Sequence, residues 1–175
     1  MAYPAKAVAN FFLELAWERG DIIDPMKMQK LIYFAHGWFL AKFDQELINE
    51  EIEVWDYGPV ISSIYQEFKK YGLHPITEPI LVRDESLSSR KNIFNPVGNN
   101  YYKPNIIRDS IEGKFLTKMY NYYGKYDSVY LSKLTHAEGS PWLASKLRRE
   151  AIIPNELIKS YFSQFDKSKK VNSEV

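Results

Sequence analysis

The chain has no cysteine, which removes several chemistries at once. No disulfide framework, no thiolate nucleophile and no Cys-based zinc site can be built. A reducing cytoplasm fits that composition. Charge of one sign is also lacking: 23 Lys+Arg stand against 22 Asp+Glu, leaving no basic excess for a broad nucleic-acid surface. Long hydrophobic runs are absent as well. The longest is bracketed by Lys30 and Lys42 and falls short of the ~18–20 residues that span a bilayer. Residues 1–20 lack the basic, apolar, small-residue order of a signal peptide. Glycine is sparse, and none of the eight residues pairs into a G-x-G-x-x-G or Walker-type phosphate cradle.

What is present is an ordinary globular balance of 45% hydrophobic and 26% charged residues over 175 positions, enough for one domain with a sizeable core. The unusual figure is 15% aromatic content with 13 tyrosines. Tyrosine at that density serves either as half-buried packing or as contact surface.

Hydrophobic periodicity and capping residues predict seven helices. The first covers residues 4–19, with Val8, Phe11, Phe12, Leu15 and Ala16 on one face and Gly20 as its stop. Asp24-Pro25 caps a second helix that runs to about Lys42. Its centre, Leu31-Ile32-Tyr33-Phe34-Ala35-His36-Gly37-Trp38-Phe39-Leu40-Ala41, is apolar on nearly every side and must be wrapped by other elements. Ile52-Glu53-Val54-Trp55 reads as a short strand stopped at Gly58-Pro59, and Pro59 as the start of a third helix on Val60, Ile61, Ile64, Tyr65 and Phe68. Residues 73–107 carry four prolines and two short apolar runs, Ile80-Leu81-Val82 and Asn92-Ile93-Phe94. A small hairpin or meander joined to the 52–55 strand is expected there, since long structureless loops are unusual in compact domains.

Helicity resumes at Asp109, read as the cap, with Ile111, Phe115, Met119 and Tyr122 as the core stripe and Gly124 as the stop. Asp127 caps a short helix to Leu134, Ser140-Pro141 opens another to about Arg149, and residues 154–165 form the last. The expected fold is mainly α: a single compact helical domain around a central buried helix, with a small β hairpin or meander. It occupies residues 3–165, followed by a flexible polar tail at 166–175.

The residues that could carry chemistry do not assemble. His36 lies inside the apolar helix, where a core histidine with a backbone or tyrosine partner is expected. His136-Ala137-Glu138 has the H-x-E spacing of zinc deaminases, but the downstream cysteines are missing. No H-E-x-x-H and no G-x-S-x-G occurs. Glu50-Glu51-x-Glu53 reads as a solvated acidic run, and Lys146, Arg148 and Arg149 as cations at a helix C-terminus. The expectation is no catalytic, cofactor-binding or metal-ligating residue.

Three blocks resemble a known family. Met28-Gln29-Lys30-Leu31-Ile32-Tyr33-Phe34-Ala35-His36-Gly37-Trp38 resembles the Q-K-L-x-Y-F-x-x-G-W run of the Panacea domain. Trp55-Asp56-Tyr57-Gly58-Pro59-Val60 and the following Tyr65-x-x-Phe68-Lys69-Lys70-Tyr71-Gly72 are similar to its W-x-Y-G-P-V and Y-x-x-F-x-x-Y-G elements. Leu131-Ser132-Lys133-Leu134-Thr135-His136-x-Glu138-x-x-Pro141-Trp142 resembles its L-T-H-x-x-x-P-W element. The family includes SocA-like antitoxins and phage-associated GepA-type proteins.

The resemblance implies a cytoplasmic antitoxin of a bacterial or prophage toxin–antitoxin pair, neutralising a cognate toxin protein by direct contact. One branch of the family acts as an adaptor delivering its toxin to an ATP-dependent protease, and the residues do not separate masking from delivery. A phage-encoded protein binding a host defence or protease component is the alternative, and a hydrolase or nuclease acting through His136 and Glu138 is a third reading. Neither a membrane nor nucleic acid is an expected partner. The matched residues Gln29, Lys30, Tyr33, Gly37, Trp38, Trp55, Tyr57, Gly58, Pro59, Thr135, His136, Pro141 and Trp142 are expected to be mainly structural, Trp38 and Trp55 as buried fold determinants. Thr135 and His136 are expected to bridge two short helices through their side chains. The tyrosines left beside the core stripe, Tyr120, Tyr123 and Tyr126, sit three residues apart on one helical line and are the expected partner-binding row.

Overall fold

The computed structural model describes residues 2–83 and 101–171. Helix α1 (Ala5–Arg19) ends at Gly20 in the left-handed conformation. Helix α2 (Pro25–Phe43) is capped by the Asp24 side chain, which accepts from the Lys27 N–H at 2.9 Å. Strands β1 (Glu53–Trp55) and β2 (Gly58–Val60) form an antiparallel hairpin, with Trp55 opposite Gly58. Helix α3 (Ser62–Phe68) runs into a short 3-10 helix, Lys69–Tyr71. Strands β3 (Val82–Arg83) and β4 (Tyr101–Tyr102) pair antiparallel in a second sheet. Then come α4 (Ile111–Tyr123), α5 (Ser128–Thr135), α6 (Pro141–Leu147) and α7 (Asn155–Val171). The molecule is mainly α. None of the described helices is long and apolar enough to cross a membrane.

Helix α2 is the axis of the core. It packs against α1, α3, α4, α5, α7 and β2, as its all-round apolar surface requires. Along α7 the approach is close. A Cβ on Gly37 would lie 2.3 Å from the Phe162 ring, so only glycine lets the two helices meet at that distance. Phe162 packs edge-on against Tyr33, Phe34 and Trp38. Phe34 stacks on Tyr123 with centroids 4.6 Å apart.

Buried polar groups fix the peripheral segments. Asn10, fully buried on α1, donates to the carbonyls of Ile80 (3.0 Å) and Pro104 (2.9 Å) and accepts from the Ile80 N–H (2.8 Å). One amide thus clamps both ends of the stretch between α3 and α4 onto α1. His36 is a core histidine. Its Nδ1 accepts from the Ile48 N–H at 3.4 Å and its Nε2 meets Asn155 Oδ1 at 2.9 Å. Burial pulls its pKa below the usual imidazole value, against the opposing effects of the hydrogen bond that Nε2 donates to Asn155 and of the charge of Glu46.

Several local expectations are corrected. Pro59 does not open α3; it lies in β2 opposite Val54, whose N–H points away to the Ala151 carbonyl at 2.9 Å. A proline is tolerated at such a place because no ladder bond needs its missing N–H. The 52–55 strand therefore pairs with its own return strand, while Val82–Arg83 pairs separately with Tyr101–Tyr102. The Asn92-Ile93-Phe94 run lies outside the described residues. Ser110, not Asp109, caps α4, accepting from the Gly113 N–H at 3.0 Å. Helix α7 continues past residue 165 to Val171, so part of the expected tail is helical, and residues 172–175 lie outside the described residues.

Candidate functional site

The three sequence blocks meet in space around the β1–β2 hairpin, and a single pattern of hydrogen bonds explains why. Every second carbonyl from Trp55 to Ile61 accepts from a side chain. Trp142 Nε1 on α6 donates to the Trp55 carbonyl at 2.9 Å, and Ser132 Oγ on α5 donates to that of Tyr57 at 3.1 Å. Lys30 Nζ on α2 donates to the Pro59 carbonyl at 3.1 Å. Gln29 then behaves as a surrogate strand: its Nε2 donates to the Ile61 carbonyl at 3.1 Å and its Oε1 accepts from the Ile61 N–H at 2.8 Å. The other edge is closed by backbone, with the Val54 N–H bonded to the Ala151 carbonyl and the Ile153 N–H bonded to the Ile52 carbonyl. A short isolated hairpin is marginal in water. Here both of its edges are satisfied by the helical frame.

Gly58 is required at the crossing point. Its φ is +105°, and a Cβ there would lie 2.8 Å from both Lys30 Nζ and Thr135 Oγ1. Thr135 donates to the Ser132 carbonyl at 2.7 Å, and His136 Nδ1 sits 2.6 Å from the same oxygen. Their side chains therefore bond within α5 instead of bridging two helices. The bridge to α6 is made by Ser140, whose Oγ donates to the Thr135 carbonyl at 2.8 Å. The His136 ring lies 3.9 Å from that of Trp142. His136 is thus engaged as a packing and hydrogen-bonding residue. Among the described residues no group of His, Asp and Glu side chains is placed to hold a metal ion.

Outside the clamp lies a groove of about 500 Å³, bounded by the start of α2, the hairpin and α3. Its walls include Met26, Val54, Val60 and Ile64, and Lys30 reaches it from below. Lys30 is 1% exposed, and burial pulls its ammonium down to about 7. Trp55 and Tyr65 pack ring to ring at 4.7 Å along the groove. Tyr57, at 79% exposure, stands out at the hairpin tip.

The matched residues thus separate by position. Gln29, Lys30, Tyr33, Gly37, Gly58, Pro59, Thr135, Pro141 and Trp142 are buried. Trp38 is half-buried and donates to Tyr123 Oη at 2.8 Å. Trp55, expected to be buried, is half-buried beside the groove, and Tyr57 is exposed. The tyrosine row is corrected more fully. Tyr120 and Tyr123 are 1% and 7% exposed, whereas Ile111 and Tyr122, assigned to the core stripe, are 69% and 56% exposed. The face of α4 that meets α1 and α2 carries Phe115, Leu116, Tyr120 and Tyr123. Of the expected row only Tyr126 is near the surface, half-buried and stacked on Tyr130 at 4.7 Å.

Residues 28–143, the stretch that contains the clamp, match the family described as Antitoxin SocA-like, Panacea domain. The chain belongs to that family. It is also similar to Antitoxin SocA of Caulobacter vibrioides (strain NA1000 / CB15N), with 33% identity over 138 residues, 79% of this chain and 68% of the relative. No solved structure matches the chain. The matched stretch begins in α2 and ends in α6, so in this Panacea domain it holds every residue of the carbonyl clamp and most of the groove. The clamp itself was not foreseen. Its signal was the set of donor side chains, Gln29, Lys30, Ser132 and Trp142, lying in otherwise apolar helical stretches, where a buried polar group must find a partner.

Proposed function

We propose that this chain is an antitoxin that neutralises a cognate protein toxin by direct contact, without catalysis, in the cytoplasm. The observation that carries the reading is membership of the SocA-like antitoxin family together with 33% identity to Antitoxin SocA across most of both chains. The site's chemistry supports it. His136, near the clamp, sets its Nδ1 against the Ser132 carbonyl and its ring against Trp142, and among the described residues it joins no group of His, Asp and Glu side chains placed to hold a metal ion. What the region offers instead is a preorganised hairpin with exposed aromatic surface, the type of feature that supports protein contacts.

The test is to induce the reading frames that neighbour this gene, one at a time, with and without the chain, and to follow growth and toxin level together. Rescue with an intact toxin–antitoxin complex and unchanged toxin level is the expected result. Rescue with toxin loss that requires an ATP-dependent protease would move the mode of action to adaptor delivery. Absence of rescue would refute the antitoxin reading.

A further inference from the structure

We propose that the groove above Lys30 takes a segment of the toxin that presents one Asp or Glu side chain flanked by apolar residues. This rests on the antitoxin reading and adds the chemistry of the partner. Three observations point to it. First, Lys30 is a buried amine that, among the described residues, has a single hydrogen-bond acceptor, the Pro59 carbonyl, and no carboxylate partner. Buried cations are normally paired. Asp56, an acidic residue on the groove, is turned outward, 90% exposed, and bridged to Lys146 at 3.2 Å. The charge that would complement Lys30 is therefore missing from the chain's own described residues. A carboxylate brought in from outside would stabilise the ammonium form that burial disfavours.

Second, the walls are apolar and the rim is aromatic. Met26, Val54, Val60 and Ile64 line the groove, while Tyr57 and the Trp55–Tyr65 pair edge it. Apolar area surrounding a desolvated polar anchor is the arrangement found at the centre of protein interfaces. Third, the hairpin leaves no edge for strand addition. One edge is bonded to the 151–153 backbone and the other to Gln29, Lys30 and Ser132 side chains. A partner must engage this face through side chains, and the clamp fixes the hairpin backbone that carries them, lowering the backbone entropy lost on contact.

Two arms test this. In the first, each Asp and Glu of the neighbouring toxin is changed to Asn or Gln, and affinity is measured for the full chain and for Lys30→Met, with Tyr57→Ala as a second variant. One toxin carboxylate is expected to matter about tenfold with the native chain and not at all with Lys30→Met, and Tyr57→Ala is expected to weaken binding about tenfold at unchanged melting temperature. Additive effects at Lys30, or undiminished binding by a stable Tyr57→Ala, overturn the proposal. In the second arm, the capped peptide Leu-Phe-Glu-Leu and its Gln counterpart are titrated into the labelled chain at millimolar concentration and followed by NMR. Shifts at Val54, Val60 and Ile64 with the Glu peptide alone support the groove; equal shifts, or none, overturn it. The peptide arm does not depend on the toxin, so failure of the groove is distinguishable from failure of the antitoxin reading. It also stands if Lys30→Met does not fold.

Discussion

Lys30 shows what one residue does when the fold denies it water. Its folded pKa of about 7, against 10.5 unfolded, means that between those values the unfolded chain binds the proton more readily. Stability therefore falls as pH drops from about 10 to 7, by on the order of 1 kcal/mol per unit, and is flat below. The raised tyrosine pKa values, including Tyr123 pushed up to about 12 by burial, act in the opposite direction above pH 10, but equally in a Lys30→Met variant. Denaturant titrations across this range should show the native chain gaining on Lys30→Met as pH rises. Parallel curves would mean that Lys30 is hydrated. Tyr123 makes a second prediction at this scale. Stacked on Phe34 and accepting from Trp38, it should cost about 3–5 kcal/mol when truncated to Ala. Thermal melts of Tyr123→Ala should show that loss directly; an unchanged melting temperature would return it to the surface.

Elements were legible in proportion to how far local chemistry decides them. Helix α2 could be read from its unbroken apolar surface, and its start from Asp24-Pro25, because both signals are local. The face of α4 could not. Ile111, Phe115, Met119 and Tyr122 make as good a stripe as Phe115, Leu116, Tyr120 and Tyr123, and only the shape offered by α1 and α2 selects the second. The β1–β2 hairpin was hidden because Gly58-Pro59 is a stop signal everywhere except beside a strand whose N–H points elsewhere.

Element contacts give two further predictions. Gly37→Ala gains roughly 1 kcal/mol of helix propensity, but its methyl would sit 2.3 Å from the Phe162 ring, and overpacking costs about 1–3 kcal/mol. Net destabilisation is expected, with less-than-additive loss when combined with Phe162→Leu in a double-mutant cycle. Asn10→Leu leaves the Ile80 N–H and two carbonyls without their partner. It should cost about 2–4 kcal/mol and abolish hydrogen-exchange protection at Ile80; retained protection would show that the clamp on this segment lies elsewhere.

At the scale of the molecule, the Panacea domain is a helical frame built to hold one hairpin. The order of the three sequence blocks was readable, and so was their membership of one family, but not their convergence. That convergence depends on helices α2, α5 and α6 delivering donors to alternate carbonyls of a turn they are far from in sequence. The burial of Tyr120 and Tyr123 was hidden for the same reason: a tyrosine row looks like contact surface until the helices that cover it are known. The proposed toxin contact is the hairpin and groove. Hydrogen exchange of the chain, alone and saturated with its toxin, tests this most directly. Added protection in residues 54–65 and in the first turns of α2 is the predicted result. Protection confined to α4 and the Tyr126–Tyr130 surface, with the hairpin unchanged, would contradict it.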